Sequence, residues 1–380
     1  MTPLASIPLN DPRVAVLGAL HVERRAHIIR FSRLPAWTRT QSPEPAFDLM
    51  AAMTSGVRLA FATTSSIVEL DIIETGLQFA GEARREATVE LYAGDHCDAR
   101  SLTAGHTIVV DEAKVAFVAG RSTTLRFELA AGAKRVVIWL PQSACCEISG
   151  LRLDQTALLE QTSSEARVWA HYGSSISHGM EAAGPSRSWP ALAARAAGVE
   201  LVNLGLAGQC HLDGFVARTL RDGAFDLISL KLGANVVSLD TFRRRTFANA
   251  VHSFLDTIRE GCPTTPLLVI SPIFCPLIED EPGPVRRIPG GTYLREARPH
   301  AREDGALCMT DVREILSNVV ERRRGGGDET LSLLDGLSLF GAADASSLPD
   351  RIHPDAEGHE TIAKRMVEGA FGKGCAFGEV

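Results

Sequence analysis

Four short stretches of this chain carry side chains able to do chemistry, and each follows or precedes a regular element. The first is Tyr172-Gly173-Ser174-Ser175-Ile176-Ser177, between the apolar run Val168-Trp169-Ala170 and the run Trp189-Pro190-Ala191-Leu192-Ala193-Ala194. The run before it reads as a strand and the run after it opens a helix. The Gly-x-Ser serine therefore stands at the carboxyl end of a strand, where open α/β sheets place their chemistry. A loop serine also has a plainer use, bonding to nearby backbone. To act as a nucleophile it needs a base, a group to orient that base, and donors for an oxyanion.

The other three stretches contain those residue types. Asn203-Leu204-Gly205-Leu206-Ala207-Gly208 follows a strand, and its two glycines either make a strand-to-helix turn or let the backbone approach a ligand. Leu230-Lys231-Leu232-Gly233-Ala234-Asn235 again ends a strand. Asn235 is either a turn or cap residue, or it aims its amide at a developing negative charge. Asp350-Arg351-Ile352-His353-Pro354 precedes the last helical stretch. Three residues apart in a turn, Asp350 and His353 form either a local ion pair or cap, or a carboxylate-held imidazole. In the second case the free nitrogen can take a proton from a serine.

The elements that must position these residues fall into two regions. Residues 1 to 160 read as strands: Val57, Leu59 and Phe61, then Val68, Leu70 and Ile72, then Val89 and Leu91, then Leu125, Phe127 and Leu129 alternate with polar or small neighbours. Period-two alternation marks half-buried antiparallel strands, and the continuous run Val136–Leu140 predicts a central one. Short strands separated by turn residues, with no helices between, predict an all-β sandwich, jelly-roll-like. Residues 150–166 read as the join: Leu151-Arg152-Leu153-Asp154 closes the strand region, and 161–165 is polar without a period. Beyond them, strands at 168–172, 199–204, 226–232 and 266–271 alternate with helices at 189–197, 212–221, 240–259, 293–303, 312–324 and 355–369. That alternation predicts a parallel sheet covered by helices on both faces. Residues 275–292, rich in proline and glycine, read as an irregular loop.

Composition narrows the function classes. A chain of 380 residues, 45% hydrophobic and 22% charged, has apolar material for full cores. A net charge of −7 argues against nucleic-acid binding, which needs a clustered basic surface. The run Arg322-Arg323-Arg324 before Gly325-Gly326-Gly327 reads as a charged helix end with a glycine stop. Met1-Thr2-Pro3-Leu4 does not read as a signal peptide, and no stretch nears the roughly 20 apolar residues of a membrane span. Eight scattered cysteines without a Cys-x-x-Cys pair point to no metal and to a reduced, cytoplasmic setting.

Serine, glycine, asparagine and Asp-x-x-His, in that order and each at a strand or loop end, resemble the SGNH (GDSL-type) hydrolase superfamily over residues 166–370. The resemblance implies a flavodoxin-like three-layer α/β/α domain at 161–380, behind a β-sandwich accessory domain at 1–160. It implies Ser175 as nucleophile, Gly208 and Asn235 as oxyanion donors, and Asp350 and His353 as orienting acid and base. The sequence departs from the family at Ser174, where an aspartate is usual, and at Val236, where many members carry another; these departures touch the subfamily and the substrate. A β-sandwich before such a domain resembles two-domain carbohydrate esterases and the GDSL-type acyltransferases that decorate polyketides. The expected activity is O-acyl transfer from a thioester, with acyl-CoA as co-substrate and no bound cofactor or metal. The acceptor would be a hydroxyl of a small natural product such as a tetracycline-type polyketide, in antibiotic biosynthesis. The alternative is an esterase on carbohydrate or small esters. Expected partners are the small-molecule donor and acceptor, with no nucleic acid and no membrane; the oligomeric state stays open. Trp37 and Trp139 are either stacking platforms or core, and Arg286 and Arg287 either meet an anionic donor or face solvent.

Overall fold

The computed structural model describes residues 3–25, 27–111 and 114–378, so Met1 and Thr2 of the amino-terminal reading lie outside it. The chain divides into two compact units. One comprises Met1–Arg39, Glu44–Glu165 and Gly184–Ser186; the other comprises Thr40–Pro43, Ala166–Ala183 and Arg187–Val380.

In the first unit the described residues form an eight-stranded and a six-stranded sheet. Ile67–Phe79 pairs antiparallel with Ala144–Asp154 and parallel with His106–Val110. Lys134–Trp139 is central in the other sheet, between Arg58–Thr63 and Ala87–Ala93. Alternate residues of both sheets, among them Val68, Leu70, Ile72, Leu59, Phe61, Val136 and Ile138, share one core. The helix Pro45–Ala52 was not expected among these strands. Its last carbonyls are met by Arg33, fully buried, whose Nε donates to the Met53 carbonyl at 2.7 Å and whose Nη2 donates to that of Met50. Trp139 is core, with the Arg58 guanidinium 4.8 Å from its ring centroid, whereas Trp37 is exposed.

The second unit is built on five parallel strands in the order Glu200–Gly205, Val168–Gly173, Leu227–Lys231, Leu267–Ile270, Leu331–Leu334. By chain position this is 2-1-3-4-5, the doubly wound order with its switch point beside the first strand. Neighbouring residues of that first strand show the layers. His171 meets Trp189 of helix Trp189–Ala197 edge-on, while Tyr172 stacks on Phe254 of helix Arg244–Gly261. Successive strand residues point to opposite faces, so helices cover both. Met309–Gly325 packs beside Arg244–Gly261, and Ala356–Met366 beside Trp189–Ala197. The basic run 322–324 forms the last turn of Met309–Gly325, as its glycines predict.

Two expectations are corrected. Residues 293–303 are not a helix: Tyr293–Arg295 is a strand, and Pro299 and the left-handed His300 (φ 63°) keep the rest in turns. Residues 275–292 are not wholly irregular, because Val285–Arg287 pairs antiparallel with Tyr293–Arg295 across a turn containing Gly290 and Gly291, both at positive φ. The fifth strand, Leu331–Leu334, and the short helices Ser175–His178, Ala234–Ser238 and Gly336–Leu339 were also not anticipated.

The glycine at the end of the second strand has a specific packing duty. A Cβ on Gly205 would lie 2.4 Å from the Ser177 carbonyl carbon and 2.4 Å from the His178 nitrogen, both backbone atoms of the Ser175–His178 helix. We expect Gly205→Ala to lower the thermal midpoint, corresponding to about 1–3 kcal/mol of overpacking. A midpoint equal to wild type would show that the helix is not seated there.

Candidate active site

Strand ends and the loops after them deliver the side chains. Val168–Gly173 and Glu200–Gly205 end level with each other, Gly173 opposite Gly205, and Tyr172 pairs with Leu230 on the other side. The loops carrying Ser175, Gly208 and Asn235 thus leave three adjacent strands at one edge. Asp350 and His353 come from the segment ahead of the Ala356–Met366 helix.

Ser175, Asp350 and His353 form one line of hydrogen bonds. His353 Nε2 lies 2.8 Å from Ser175 Oγ, and His353 Nδ1 lies 2.7 Å from Asp350 Oδ2. The other carboxylate oxygen accepts the N–H groups of Ile352 at 2.9 Å and His353 at 2.7 Å. Burial pushes the Asp350 carboxyl up, but its hydrogen bonds and the charge of His353 outweigh this, and it sits below the ordinary carboxylate range. An ionised Asp350 accepting from Nδ1–H leaves Nε2 as the lone pair facing the serine. The turn is strained at Arg351, whose φ of 74° is unusual for a residue with a Cβ.

Three N–H donors stand on the same edge. The Ser175 N–H opens its helix and has no acceptor within it. Gly208 is left-handed (φ 71°), and its N–H has no acceptor among the described residues. Asn235 is 6% exposed and uses its Oδ1 to accept the Cys210 N–H at 3.1 Å, which leaves its Nδ2 hydrogens for another acceptor. Gly205, by contrast, approaches not a ligand but the Ser175–His178 helix. Ser174 buries its hydroxyl with no partner among the described residues; its carbonyl accepts the N–H groups of Ser177 and His178.

Other neighbours carried no local signal in the sequence. The Tyr293 ring stands edge-on to His353, with centroids 5.6 Å apart. Arg287 packs on that tyrosine, 5.7 Å from the ring centroid, and donates to its hydroxyl at 3.3 Å, while Arg286 pairs with Glu296 at 3.2 Å. Arg287 thus meets the tyrosine of the paired strand, and Arg286 a carboxylate just past it. Lys231 is buried, and its Nζ has no hydrogen-bond partner among the described residues; burial pushes its ammonium down to about 8. Burial likewise pushes His171 down to about 3, with the Lys231 charge adding to the effect, and His359 down to about 4. Among the described residues no cluster of three or more His, Cys, Asp or Glu could hold a metal, and no helix is long and apolar enough to cross a membrane.

Two stability effects follow. His171 and His359 fold as neutral rings with values below the ordinary 6.5, so the unfolded chain binds more protons as the medium acidifies. Their contribution is complete above pH 6.5 and is lost as pH falls toward 4 and below. We expect the thermal midpoint to drop through that window and the drop to be shallower in His359→Gln; parallel curves would contradict it. For Lys231→Met we expect a higher midpoint at neutral pH, because the exchange removes a buried ammonium that has no partner. A lower midpoint would contradict this.

The model of the GDSL-like Lipase/Acylhydrolase family matches residues 171–361, just over half of the chain. A salicylyl-acyltransferase, SsfX3, from a tetracycline biosynthetic pathway is similar at 29% identity and a TM-score of 0.81, over 95% of each chain. A putative GDSL-like lipase from Bacteroides ovatus is similar at 17% identity and a TM-score of 0.68, over 96% of this chain and 97% of that one. A family two carbohydrate esterase from Cellvibrio japonicus follows at 16% identity and 0.61, over 96% of each. The last two likenesses concern the fold alone. No curated protein sequence gives a significant match.

Proposed function

Because the chain belongs to the GDSL-like lipase/acylhydrolase family and is an enzyme of it, we propose that it is a serine O-acyltransferase. It would move an acyl group from an activated thioester such as acyl-CoA to a hydroxyl of a small natural product. The observation that carries this reading is the hydrogen-bonded line Asp350–His353–Ser175 in a chain similar over 95% of its length to a salicylyl-acyltransferase. That relative's pathway supports a tetracycline-type polyketide as acceptor and an antibiotic-biosynthetic role; the scattered free cysteines support a cytoplasmic setting. In this reading 161–380 is the catalytic domain and 1–160 a jelly-roll-like accessory sandwich.

The chemistry proceeds in two halves. Ser175 Oγ attacks the acyl carbonyl as its proton passes to His353 Nε2, and Asp350 stabilises the imidazolium through Nδ1–H. The N–H groups of Ser175 and Gly208 and the Nδ2 of Asn235 take the oxyanion. Collapse expels the thiolate, which takes the proton from His353, and leaves an ester on Ser175. The acceptor hydroxyl then gives its proton to His353 Nε2 and attacks that ester, and Ser175 recovers its proton as it leaves. Water in the acceptor's place makes the same machinery an esterase. That second reading is favoured by the acylhydrolase members of the family and by the fold shared with carbohydrate esterases.

We expect a fluorophosphonate probe to label the wild type and not Ser175→Ala. Asn235→Ala should lower kcat about 100- to 1,000-fold. Incubation with an acyl thioester, with and without a polyketide acceptor, decides between transfer and hydrolysis. Thioester consumption that ignores the acceptor, with no acylated acceptor formed, would end the transferase reading and leave the esterase.

A further inference from the structure

A second imidazole lies beneath the nucleophile, and the mechanism above does not use it. His171, in the first strand, is wholly buried. Its Nδ1 lies 2.7 Å from Ser229 Oγ, and its Nε2 lies 2.7 Å from Ser177 Oγ. Trp169 Nε1 donates to the same Ser229 hydroxyl at 2.8 Å. The ring is pinned by the Trp189 side chain, edge-on at 4.7 Å. Whichever nitrogen carries the proton, the neutral ring donates to one serine hydroxyl and accepts from the other. It thus connects the middle strand, through the first, to the helix that begins with Ser175.

That helix is held by its seat on the strand ends and by side-chain bonds, not by itself. Ser175–His178 is a single turn, too short to be stable from its own backbone bonds. Ser177 supplies two of its contacts beyond itself: the hydroxyl goes to His171, and the carbonyl accepts Asn203 Nδ2 at 2.9 Å, while His178 Nδ1 accepts the Ala207 N–H at 3.4 Å. Gly173 lacks the Cβ that would lie 2.3 Å from Ser177 Oγ, so the serine can reach down to the ring. Fixing Ser177 fixes the rotation of the turn, and with it the direction of Ser175 Oγ, two residues earlier, toward His353 Nε2.

We propose that His171 is a positioning residue for acyl transfer: through Ser177 it holds the nucleophile turn in line with His353. It touches neither substrate nor the reacting atoms. The inference rests on the reading of Ser175 as the nucleophile. It predicts a loss in kcat with little change in KM, since a misaimed hydroxyl binds substrate as before but attacks it less often.

The test compares His171→Asn, His171→Gln, Ser177→Ala and the double variant His171→Asn/Ser177→Ala. Hydrolysis of p-nitrophenyl acetate, the rate of fluorophosphonate labelling and the thermal midpoint are measured for each. The asparagine amide reaches only as far as Nδ1 and abandons Ser177, whereas the glutamine amide reaches the place of Nε2. Expected is a loss of about 10- to 100-fold in kcat and labelling rate for His171→Asn and for Ser177→Ala, with KM within about twofold. The double variant should be no worse than either single one, because both remove the same link. His171→Gln should recover most of the rate. Ser177→Ala, which removes only a hydroxyl, keeps the test decisive if His171→Asn does not fold. Wild-type rates in Ser177→Ala, multiplying losses in the double variant, or His171→Gln no better than His171→Asn would overturn the proposal while leaving Ser175 as nucleophile. A wild type that is not labelled at Ser175 would sink both.

Discussion

The second unit depends on a contact that side chains would forbid. The Ser175–His178 turn rests directly on the ends of two strands, where Gly173 and Gly205 present no Cβ. At Gly205 the backbone of the turn sits directly on strand backbone, and at Gly173 the Ser177 side chain fills the place a Cβ would take; both contacts are close-packed and leave little room to rearrange. The parallel register does the rest. With Gly173 level with Gly205 and the next strand paired alongside, the residues that follow each strand emerge at one edge. Five parallel strands in the order 2-1-3-4-5 open their crevice at that edge.

Burial gives the histidines of this unit different duties. His353 stands against a carboxylate that accepts its Nδ1–H and can stabilise a positive ring. His171 and His359 are buried without such a partner, and the medium holds them neutral. Lys231 shows the same pressure on an amine. One residue type thus serves as a proton carrier where a fixed anion accompanies it, as at His353, and as a stiff two-ended hydrogen-bonding spacer where none does, as at His171.

What the sequence made legible follows from how local each signal is. Asp350 and His353 are three residues apart, and their pairing is a property of one turn, so the spacing carried it. Ser175, Gly208 and Asn235 each sit just past an apolar run that reads as a strand, so their common edge follows from parallel topology. His171 gave no such signal: its partners Ser229 and Ser177 belong to another strand and to a one-turn helix, and only the folded register brings them to it. Tyr293 was obscured for a related reason. It lies in a three-residue strand whose partner, Val285–Arg287, sits in a stretch that proline and glycine mark as irregular. Leu331–Leu334 is four residues long and inherits its strand character from pairing with Leu267–Ile270 rather than from its own pattern.

The carboxylate of Asp350 also closes the turn it belongs to, through the N–H groups of Ile352 and His353, across a backbone kept left-handed at Arg351. Its charge and its shape are therefore separable. An asparagine can keep Oδ1 on both turn amides while offering an N–H where a lone pair stood, which would drive the imidazole into the tautomer whose hydrogen faces the serine. An alanine releases the loop as well. The two replacements at this position are thus different experiments, one on acid–base readiness and one on architecture, and their difference measures how much of the site's alignment is stored in a single bend of chain.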